Sequence, residues 1–366
     1  MASKEAGKTV VQSTARVAAK VSAKKTLKTP TIYDVAEKAG VSKSLVSLVL
    51  SGSDGVSPAK RKAVLSAIEK LGYRPSRSAQ SLAGGRTKTI GAIITDYKNL
   101  SYIGFLRGLR EVADEAGFQV TISDLHNSPH FSDHAVSALL SMHVDGVIIA
   151  AEVPEDQQRV IDVPFVTIGE RHFIHPKSDL VHGDNDDGMR QVVEHLHSLG
   201  HTKIVHITSF DGIGTKRREA FQKYMSQLGL EPRVFGYGQP ATEIGGYLVA
   251  KELIQNGEEF TAIATENDAQ AAGVWAVFKE NGIRVPEDVS LIGYDNSPIT
   301  SDYFLKMTTI DENGIQIGRE AARILLERMN RDSKKALKTV TIPPTLIVRE
   351  TTAKVKAAPK KTSSKV

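Results

Sequence analysis

One short helical pattern, residues 43–50, carries side chains suited to reading a nucleic acid. Its outward face combines an ammonium group, two hydroxyls and an apolar side chain, contributed by Lys43, Ser44, Ser47 and Leu48. Ammonium and hydroxyl groups donate to base edges or phosphates, and an apolar side chain packs on the methyl group of thymine. We therefore expect Leu48 to be exposed in the free protein because its partner is a base. The alternative is an interdomain or core role for Leu48, since isolated exposed leucines are common.

Three helices are predicted to hold this face in position. The first begins after the N-cap Thr31 and ends at Gly40, with apolar residues on one helical face between them. Ser42 can cap the second helix, and Ser57 can cap a third that ends at Gly72. Two helices joined by a tight glycine-containing turn predict a helix-turn-helix, whose second helix enters the major groove. We predict that Thr31, Tyr33, Ser42 and Ser47 contact phosphates and so fix the position of the recognition helix along the duplex.

The charge distribution points to the same kind of partner. Residues 1–88 carry 17 Lys and Arg against 5 Asp and Glu, whereas residues 89–350 carry 25 against 37. The last 16 residues add 5 lysines and no acid. A basic head on an acidic body indicates a polyanionic partner, by default nucleic acid. On charge alone, a solvated basic tail without a partner is the alternative.

From residue 89 onward, short apolar segments alternate with amphipathic stretches of helical length. The predicted strands lie within 89–94, 117–123, 145–151, 164–169, 203–208, 261–265 and 289–295. The predicted helices are 102–116, 186–199, 216–228 and 268–281. Such alternation is typical of parallel sheets covered by helices, and this many strands exceed one ordinary sheet. We therefore predict an α/β body with two lobes and a ligand crevice at the carboxyl ends of its strands.

Polar side chains follow several of these strands, where such a crevice would lie. They are Asp96, Tyr97, Asn99 and Tyr102 after the first strand, Arg217 after strand 203–208, and Asn267 and Asp295 after the last two. A guanidinium, a carboxylate and an amide around a crevice with tyrosine walls suit a polyhydroxylated ligand. Each residue taken alone could equally be a strand-end cap or half of a surface ion pair.

Residues 76–88 form a predicted linker with a short helical segment that runs from Ser76 through Leu82 to Gly84 and Gly85. So short a segment cannot hold a helix alone in water, because helix nucleation is unfavourable and few turns follow. We expect it to be largely disordered until something packs on it. The alternative is a flexible linker with an incidental leucine.

The motif T-I-Y-D-V-A-x-x-A-G-V-S-x-x-x-V-S at residues 31–47 closely resembles the headpiece of the LacI/GalR (lactose-repressor) family of bacterial transcription regulators. The similarity continues in YRPSRSAQSLAGGRT (73–87), IGAIITD (90–96), DVSLIGYDN (288–296) and PPTLIVRE (343–350). It therefore covers the chain except for its two tails. This chain has Leu48 where many members of the family have Arg, so the operator should differ at the base pair that this residue reads. It has Leu100 where Pro is usual and Ala220 where Gly is usual, and both changes affect the shape of the pocket.

The resemblance implies a function for each part. In the family, the hinge helices of a dimer pair in the minor groove, and the corresponding residues here are Ser76, Ala79 and Leu82, with Leu82 as a wedge between base steps. Arg217, Asn267 and Asp295 match the family's effector contacts, in a body that resembles periplasmic sugar-binding proteins. The implied protein is a repressor that binds a near-palindromic double-stranded DNA operator as a homodimer, under allosteric control by a carbohydrate or polyol.

The expected organisation is a disordered basic tail (1–29), a helix-turn-helix headpiece (30–75), a hinge (76–88), a two-lobed body for effector binding and dimerisation (89–351) and a second disordered basic tail (352–366). The sequence shows no membrane-spanning run, secretory signal or cysteine, so we expect a cytoplasmic protein. It shows no phosphate-binding loop, catalytic set or metal-ligand motif, so we expect no enzyme activity, cofactor or metal. The alternative function is a solute-binding protein of a transport system, which would need a signal peptide and would not need residues 31–85.

Overall fold

The computed structural model of this chain describes residues 30–50, 55–73, 86–125, 132–210, 212–301, 305–330 and 336–356. The chain divides into two compact units, Met1–Thr87, which contains the predicted headpiece, and Lys88–Val366, which contains the predicted body. Three predicted DNA contacts in the hinge, Ser76, Ala79 and Leu82, lie outside the described residues. The predicted tail at 1–29 and residues 357–366 also lie outside them.

The described headpiece contains three helices, α1 (Ile32–Ala39), α2 (Lys43–Leu50) and α3 (Pro58–Leu71). Their apolar faces meet in one small core, in which Val35, Val46 and Val64 are fully buried. These residues lie on the faces that the apolar spacing predicted. The predicted helix-turn-helix is therefore confirmed.

Local hydrogen bonds explain where these helices begin and end. Thr31 Oγ1 accepts from the Asp34 N–H at 3.4 Å, and Asp34 Oδ2 accepts from the Thr31 N–H at 2.6 Å, which completes a capping box. Gly40 ends α1 in the left-handed region, at φ 65°, where a side chain would be strained. Ser57 precedes α3 as predicted, but its side chain makes no capping hydrogen bond. Pro58 follows it at the first helical position, where no N–H is needed.

The first lobe of the body is built on a six-stranded parallel sheet in the order β11-β5-β4-β3-β1-β2. Its strands are β1 (Thr89–Ile94), β2 (Gln119–Asp124), β3 (Gly146–Ala150), β4 (Phe165–Ile168), β5 (Asp179–Gly183) and β11 (Thr339–Ile342). Its helices are α4 (Tyr102–Glu115), α5 (Ser132–Ser141), α6 (Glu155–Arg159) and α11 (Gly314–Met329). α4 and α11 pack on one face of the sheet, in a core where Ile90, Ile148, Leu109 and Leu325 are fully buried. α5 packs on the other face, in a second core that includes Leu139 and Ile149.

The second lobe is built on a four-stranded parallel sheet in the order β7-β6-β8-β9. Its strands are β6 (Ile204–Ile207), β7 (Arg233–Phe235), β8 (Ala262–Thr265) and β9 (Ser290–Ile292). Its helices are α7 (Asn185–Ser198), α8 (Gly212–Gln227), α9 (Glu243–Gln255) and α10 (Asp268–Glu280). An antiparallel pair, β10 (Thr309–Asp311) and β12 (Thr345–Ile347), packs on this lobe through Ile310 and Leu346.

The chain passes between the lobes after β5, after β10 and after β11. The predicted two-lobed α/β body with parallel sheets is confirmed, and every strand predicted from the sequence is present. Strands β5, β7, β10, β11 and β12 were not predicted. Within the described part of the chain, no helix combines the length and the apolar character that crossing a membrane requires.

The chain stays packed on the second lobe beyond residue 351, where the body was predicted to end. The Thr351 carbonyl accepts from the Leu291 N–H at 2.8 Å, and the Val355 N–H donates to the Leu199 carbonyl at 2.9 Å. Because these backbone groups are paired, residues 352–356 do not match the disordered tail that the sequence predicted.

Candidate functional site

The outward face of α2 presents the side chains predicted to contact DNA bases. Lys43, Ser44 and Leu48 are exposed, and Ser47 is half-buried beside them. Leu48 keeps 45% of its surface exposed although it is apolar. Lys43 Nζ lies 3.5 Å from the hydroxyl of Tyr33 and 5.2 Å from its ring centre, so α1 extends the same surface. This surface combines donor groups with an apolar side chain, as contact with base edges and phosphates requires.

Two predicted phosphate contacts also hold the starts of the helices. The Thr31 hydroxyl donates to Asp34 Oδ2 at 2.7 Å, and Ser42 Oγ accepts from the Leu45 N–H at 3.3 Å. Both capping residues are exposed, next to the N–H groups of a first helical turn. At the start of α2, where the first turn has no acidic residue, such a position favours an anion, because the N–H groups and the helix dipole both point towards it. At the start of α1 the Asp34 carboxylate already takes that position.

In the body, a cavity of about 240 Å³ lies between the two lobes. Residues that follow five different strands contribute to its wall: Asp96 after β1, Glu152 after β3, Gly169 after β4, Phe210 after β6 and Glu266 after β8. Parallel strands of one sheet end at the same edge, so the sheet topology brings these distant residues together. The cavity is therefore at the place where the strand order predicted a ligand crevice.

Most residues predicted to bind an effector line this cavity, namely Asp96, Asn99, Tyr102, Arg217, Asn267 and Asp295. Tyr97 is not part of the lining, because its hydroxyl donates to the carbonyl of Ile122 in β2 at 3.0 Å and its ring is largely exposed. Its role at the ligand stays a prediction. Asn267 lines the cavity, but its Oδ1 already caps α10 at Gln270 N, at 2.8 Å, and its Nδ2 donates to Ala241 O at 2.9 Å.

Arg217 on α8 links several parts of the body around this cavity. Its Nε donates to Asn185 Oδ1 at 2.9 Å, and its Nη2 donates to Glu312 Oε2 at 3.2 Å. Its Nη1 donates to the Glu266 carbonyl at 2.6 Å and to Asp295 Oδ1 at 3.1 Å. Asn185 and Glu312 lie where the chain crosses between the lobes. The Arg217 guanidinium therefore bonds both to these crossing segments and to Glu266 and Asp295 in the cavity wall.

Carboxylates outnumber the guanidinium in this buried network. The side chains of Arg217 and Asp295 are 3% and 8% exposed, and that of Glu312 is 24% exposed. Burial raises the pKa of Asp295 and of Glu312, and Arg217 opposes both shifts. Nearby Asp268 has a pKa raised to about 7, again because it is buried, although three hydrogen bonds from Ser297 and Thr309 oppose the shift.

Some functional groups of the cavity were not predicted from the sequence: Glu152, Asn185, Glu266 and Glu312. Glu152 and Glu266 directly follow predicted strands, so the rule that ligands bind at strand ends could have found them. Asn185 and Glu312 follow β5 and β10, which were not predicted, so the sequence gave no comparable signal for them. Among the described residues, no group of His, Asp and Glu is arranged to hold a metal ion.

Comparisons with known proteins agree with both parts of this arrangement. Residues 31–76 match the bacterial regulatory proteins of the lacI family, and residues 193–352 match the periplasmic binding protein-like domain. The HTH-type transcriptional regulator CelR of Thermobifida fusca is 30% identical over 336 residues, which cover 88% of this chain and 98% of that protein.

Two solved structures extend the comparison to the fold. The lac repressor dimer bound to operator and the anti-inducer ONPF has a TM-score of 0.76 at 27% identity, covering 89% of this chain and 100% of that one. The complex of the transcriptional regulator CelR with cellobiose has a TM-score of 0.65 at 28% identity, covering 88% and 99%.

Proposed function

We propose a function for this chain from the premise that it belongs to the lacI family of bacterial regulatory proteins. It is a DNA-binding transcription repressor. In our proposal it binds a near-palindromic operator as a homodimer, and a carbohydrate or polyol in the cavity between the lobes controls this binding. One observation carries the proposal. A single chain joins an exposed, donor-rich helix face to a cavity at strand ends, whose wall contains charged, amide and phenol side chains.

The headpiece surface supports the operator contact. Lys43, Ser44 and Leu48 read base edges in the major groove, because they are exposed on one face of the second helix. The phosphate contacts that fix its register are Thr31, Tyr33, Ser42 and Ser47. Two identical headpieces in a two-fold dimer read two related half-sites, which makes the operator near-palindromic.

The cavity supports a hydroxylated ligand. Asp96, Asn99, Tyr102 and Asp295 line its wall with carboxylate, amide and phenol groups, which can bond sugar hydroxyls. The related CelR structure contains cellobiose, and the lac repressor structure contains ONPF. For this chain we infer a ligand of the same general class.

In our proposal the hinge couples ligand binding in the cavity to operator binding by the headpiece. Ser76, Ala79 and Leu82 contact the minor groove, with Leu82 wedged between base steps. In our proposal this contact depends both on the DNA and on how the two bodies of the dimer are arranged. A ligand that changes the arrangement of the lobes thereby changes the affinity for DNA.

Selection from fragmented genomic DNA tests this function. The full chain is mixed with the fragments at about 150 mM salt, where nonspecific attraction is weak, and the retained DNA is sequenced. We expect enrichment of a near-palindromic site and a sedimentation coefficient of a dimer. The double variant Lys43→Ala/Leu48→Ala should lose this enrichment, whereas Lys60→Ala/Leu65→Ala on α3 should keep it. Retention without any preferred sequence would remove the operator proposal.

A further inference from the structure

The cavity between the lobes is richer in acidic than in basic side chains. Six carboxylate residues and three cationic residues contribute to its wall. The deepest cation, Arg217, is 3% exposed and gives four hydrogen bonds to protein oxygens. The other two cations, Lys98 and Arg171, belong to the first lobe. A ligand that reaches the second lobe therefore meets mainly hydrogen-bond acceptors.

Asp295 and Glu312 share the single guanidinium of Arg217. Asp295 gives only Oδ1 to it, at 3.1 Å, and Glu312 gives only Oε2, at 3.2 Å. Among the described residues, the second oxygen of each carboxylate accepts no hydrogen bond. Burial raises the pKa of both groups, and the charge of Glu312 adds to the rise at Asp295. The two carboxylates therefore share one buried positive charge, and each keeps one oxygen that no described donor reaches.

An ammonium group on the ligand would supply additional N–H donors and positive charge to Asp295 and Glu312. It carries several N–H donors and one positive charge, and a partly buried carboxylate pair binds such a group more strongly than a hydroxyl. A phosphate group would bring further negative charge towards Asp295 and Glu312, where little water screens it. In the wall of the first lobe, Asn99 can bond a ligand hydroxyl, and the Tyr102 oxygen can accept from one while its own hydroxyl donates to the Ala150 carbonyl at 2.9 Å.

We propose that this cavity takes an amino sugar or a related polyhydroxylated amine, with its ammonium group beside Asp295 and Glu312, and that it rejects phosphorylated sugars. The inference rests on the proposed function, because it specifies the ligand class of the same cavity. The ammonium group contacts the free carboxylate oxygens, and the ring hydroxyls contact the wall of the first lobe.

Isothermal titration of the full chain with matched sugars tests this directly. The probes are glucose, glucosamine, N-acetylglucosamine and glucose 6-phosphate, together with the corresponding galactose and mannose series. We expect an amine to bind about tenfold more tightly than its neutral parent or its acetylated form, as one charged hydrogen bond predicts. The phosphate should not bind. Equal affinity of amine and parent, tighter binding of the phosphate, or no binding by any amine would overturn the inference.

Charge variants locate the contact. Glu312→Gln keeps an oxygen for Arg217 but removes a charge. The affinity for the amino sugar should therefore fall towards the affinity for its neutral parent sugar. Glu219→Gln, on the exposed side of α8, should leave the preference unchanged. Asp295→Asn gives a second test if Glu312→Gln does not fold. An unchanged preference in a folded Glu312→Gln or Asp295→Asn protein would contradict the assigned position.

The result of the ligand test can be distinguished from the result of the operator test. A chain that binds the amine but selects no DNA would keep this inference and lose the operator proposal. A chain that selects an operator and releases it only with neutral or phosphorylated sugars would keep the repressor function and lose this inference.

Discussion

The carboxylate of Glu152 accepts a hydrogen bond from the backbone N–H of Gly212 at 3.0 Å and so joins the two lobes. Glu152 follows β3 of the first lobe, and Gly212 is the first residue of α8 in the second. A carboxylate at a helix N-terminus is favourable because it meets unpaired N–H groups and the positive end of the helix dipole. The lobes also touch closely here, since a Cβ on Gly212 would lie 2.7 Å from the backbone nitrogen of His172.

We predict that Gly212→Ala moves the lobes apart and that Glu152→Gln does so to a smaller extent. The added methyl group cannot fit against the His172 backbone, whereas the glutamine removes only the charge. The distance between spin labels at Glu115→Cys and Lys251→Cys reports the change, and the absence of cysteine in the native chain leaves only these two labelling sites. We expect the distance distribution to lengthen.

Gly238→Ala is the matched control for this experiment, because no atom lies within 4 Å of the position of its added Cβ. Its distance distribution should equal that of the parent. If Gly212→Ala also leaves the distance unchanged, the contact at Gly212 does not set the separation of the lobes.

Asp268 predicts a pH dependence of stability. Its pKa is raised from an ordinary 3.8 to about 7 by burial, so the folded chain binds this proton more tightly than the unfolded chain does. The stabilisation is fully present below about pH 4 and is lost as the pH rises through about 7. Asp268→Asn removes the titration, while its amide can still bond Ser297 and Thr309.

Urea unfolding at pH 5 and at pH 8 checks this sign. Relative to Asp268→Asn, the parent should lose roughly 2–4 kcal/mol of unfolding free energy between these two values. Asp186→Asn, at an exposed carboxylate whose pKa is lowered by Lys223 and Tyr224, should not reproduce that loss. A parent that gains stability relative to Asp268→Asn as the pH rises would show that Asp268 is ionised throughout.

Arg217→Lys should destabilise the body strongly even though it keeps the charge. An ammonium group has three donors on one nitrogen and cannot serve the four acceptors that Arg217 bonds, so at least one buried acceptor loses its donor. We expect a loss of roughly 3 kcal/mol in unfolding free energy, measured by urea titration. The matched change Arg218→Lys, at the half-buried neighbouring residue, should lower the unfolding free energy by no more than about 0.5–1 kcal/mol. Similar losses in both variants would show that the Arg217 network contributes little.

The elements whose signals are local were predictable from the sequence. Thr31, Gly40 and Gly72 mark helix ends through their own backbone preferences, and the helices between them have clear apolar faces. β1 and β3 are nearly continuous apolar runs bounded by turns. β10 has only three residues, and its neighbours are polar, so no window of the sequence distinguishes it from a loop.

The cavity could be predicted in position but not in chemistry. The strand-end rule led to Asp96 and Asp295, whereas the partners of Arg217 depend on contacts up to 95 residues apart in the sequence. The direction of the Tyr97 side chain could not be predicted either, because a residue next to a strand end can turn towards the neighbouring strand, as its hydrogen bond to the Ile122 carbonyl shows. Only the folded arrangement shows that one guanidinium serves two carboxylates there.

Leu48 offers the most specific test of the headpiece surface. Leu48→Ala removes an apolar contact to one base but leaves the charged phosphate contacts intact, so discrimination at a single base pair should fall by about 1–3 kcal/mol. Binding to a set of single-base variants of the selected operator measures this position by position. Leu65→Ala is the matched control, because Leu65 on α3 is 52% exposed, close to the 45% of Leu48. A loss of affinity that is equal for every operator variant would mean that Leu48 contributes to the stability of the domain or its nonspecific contact, and not to base recognition.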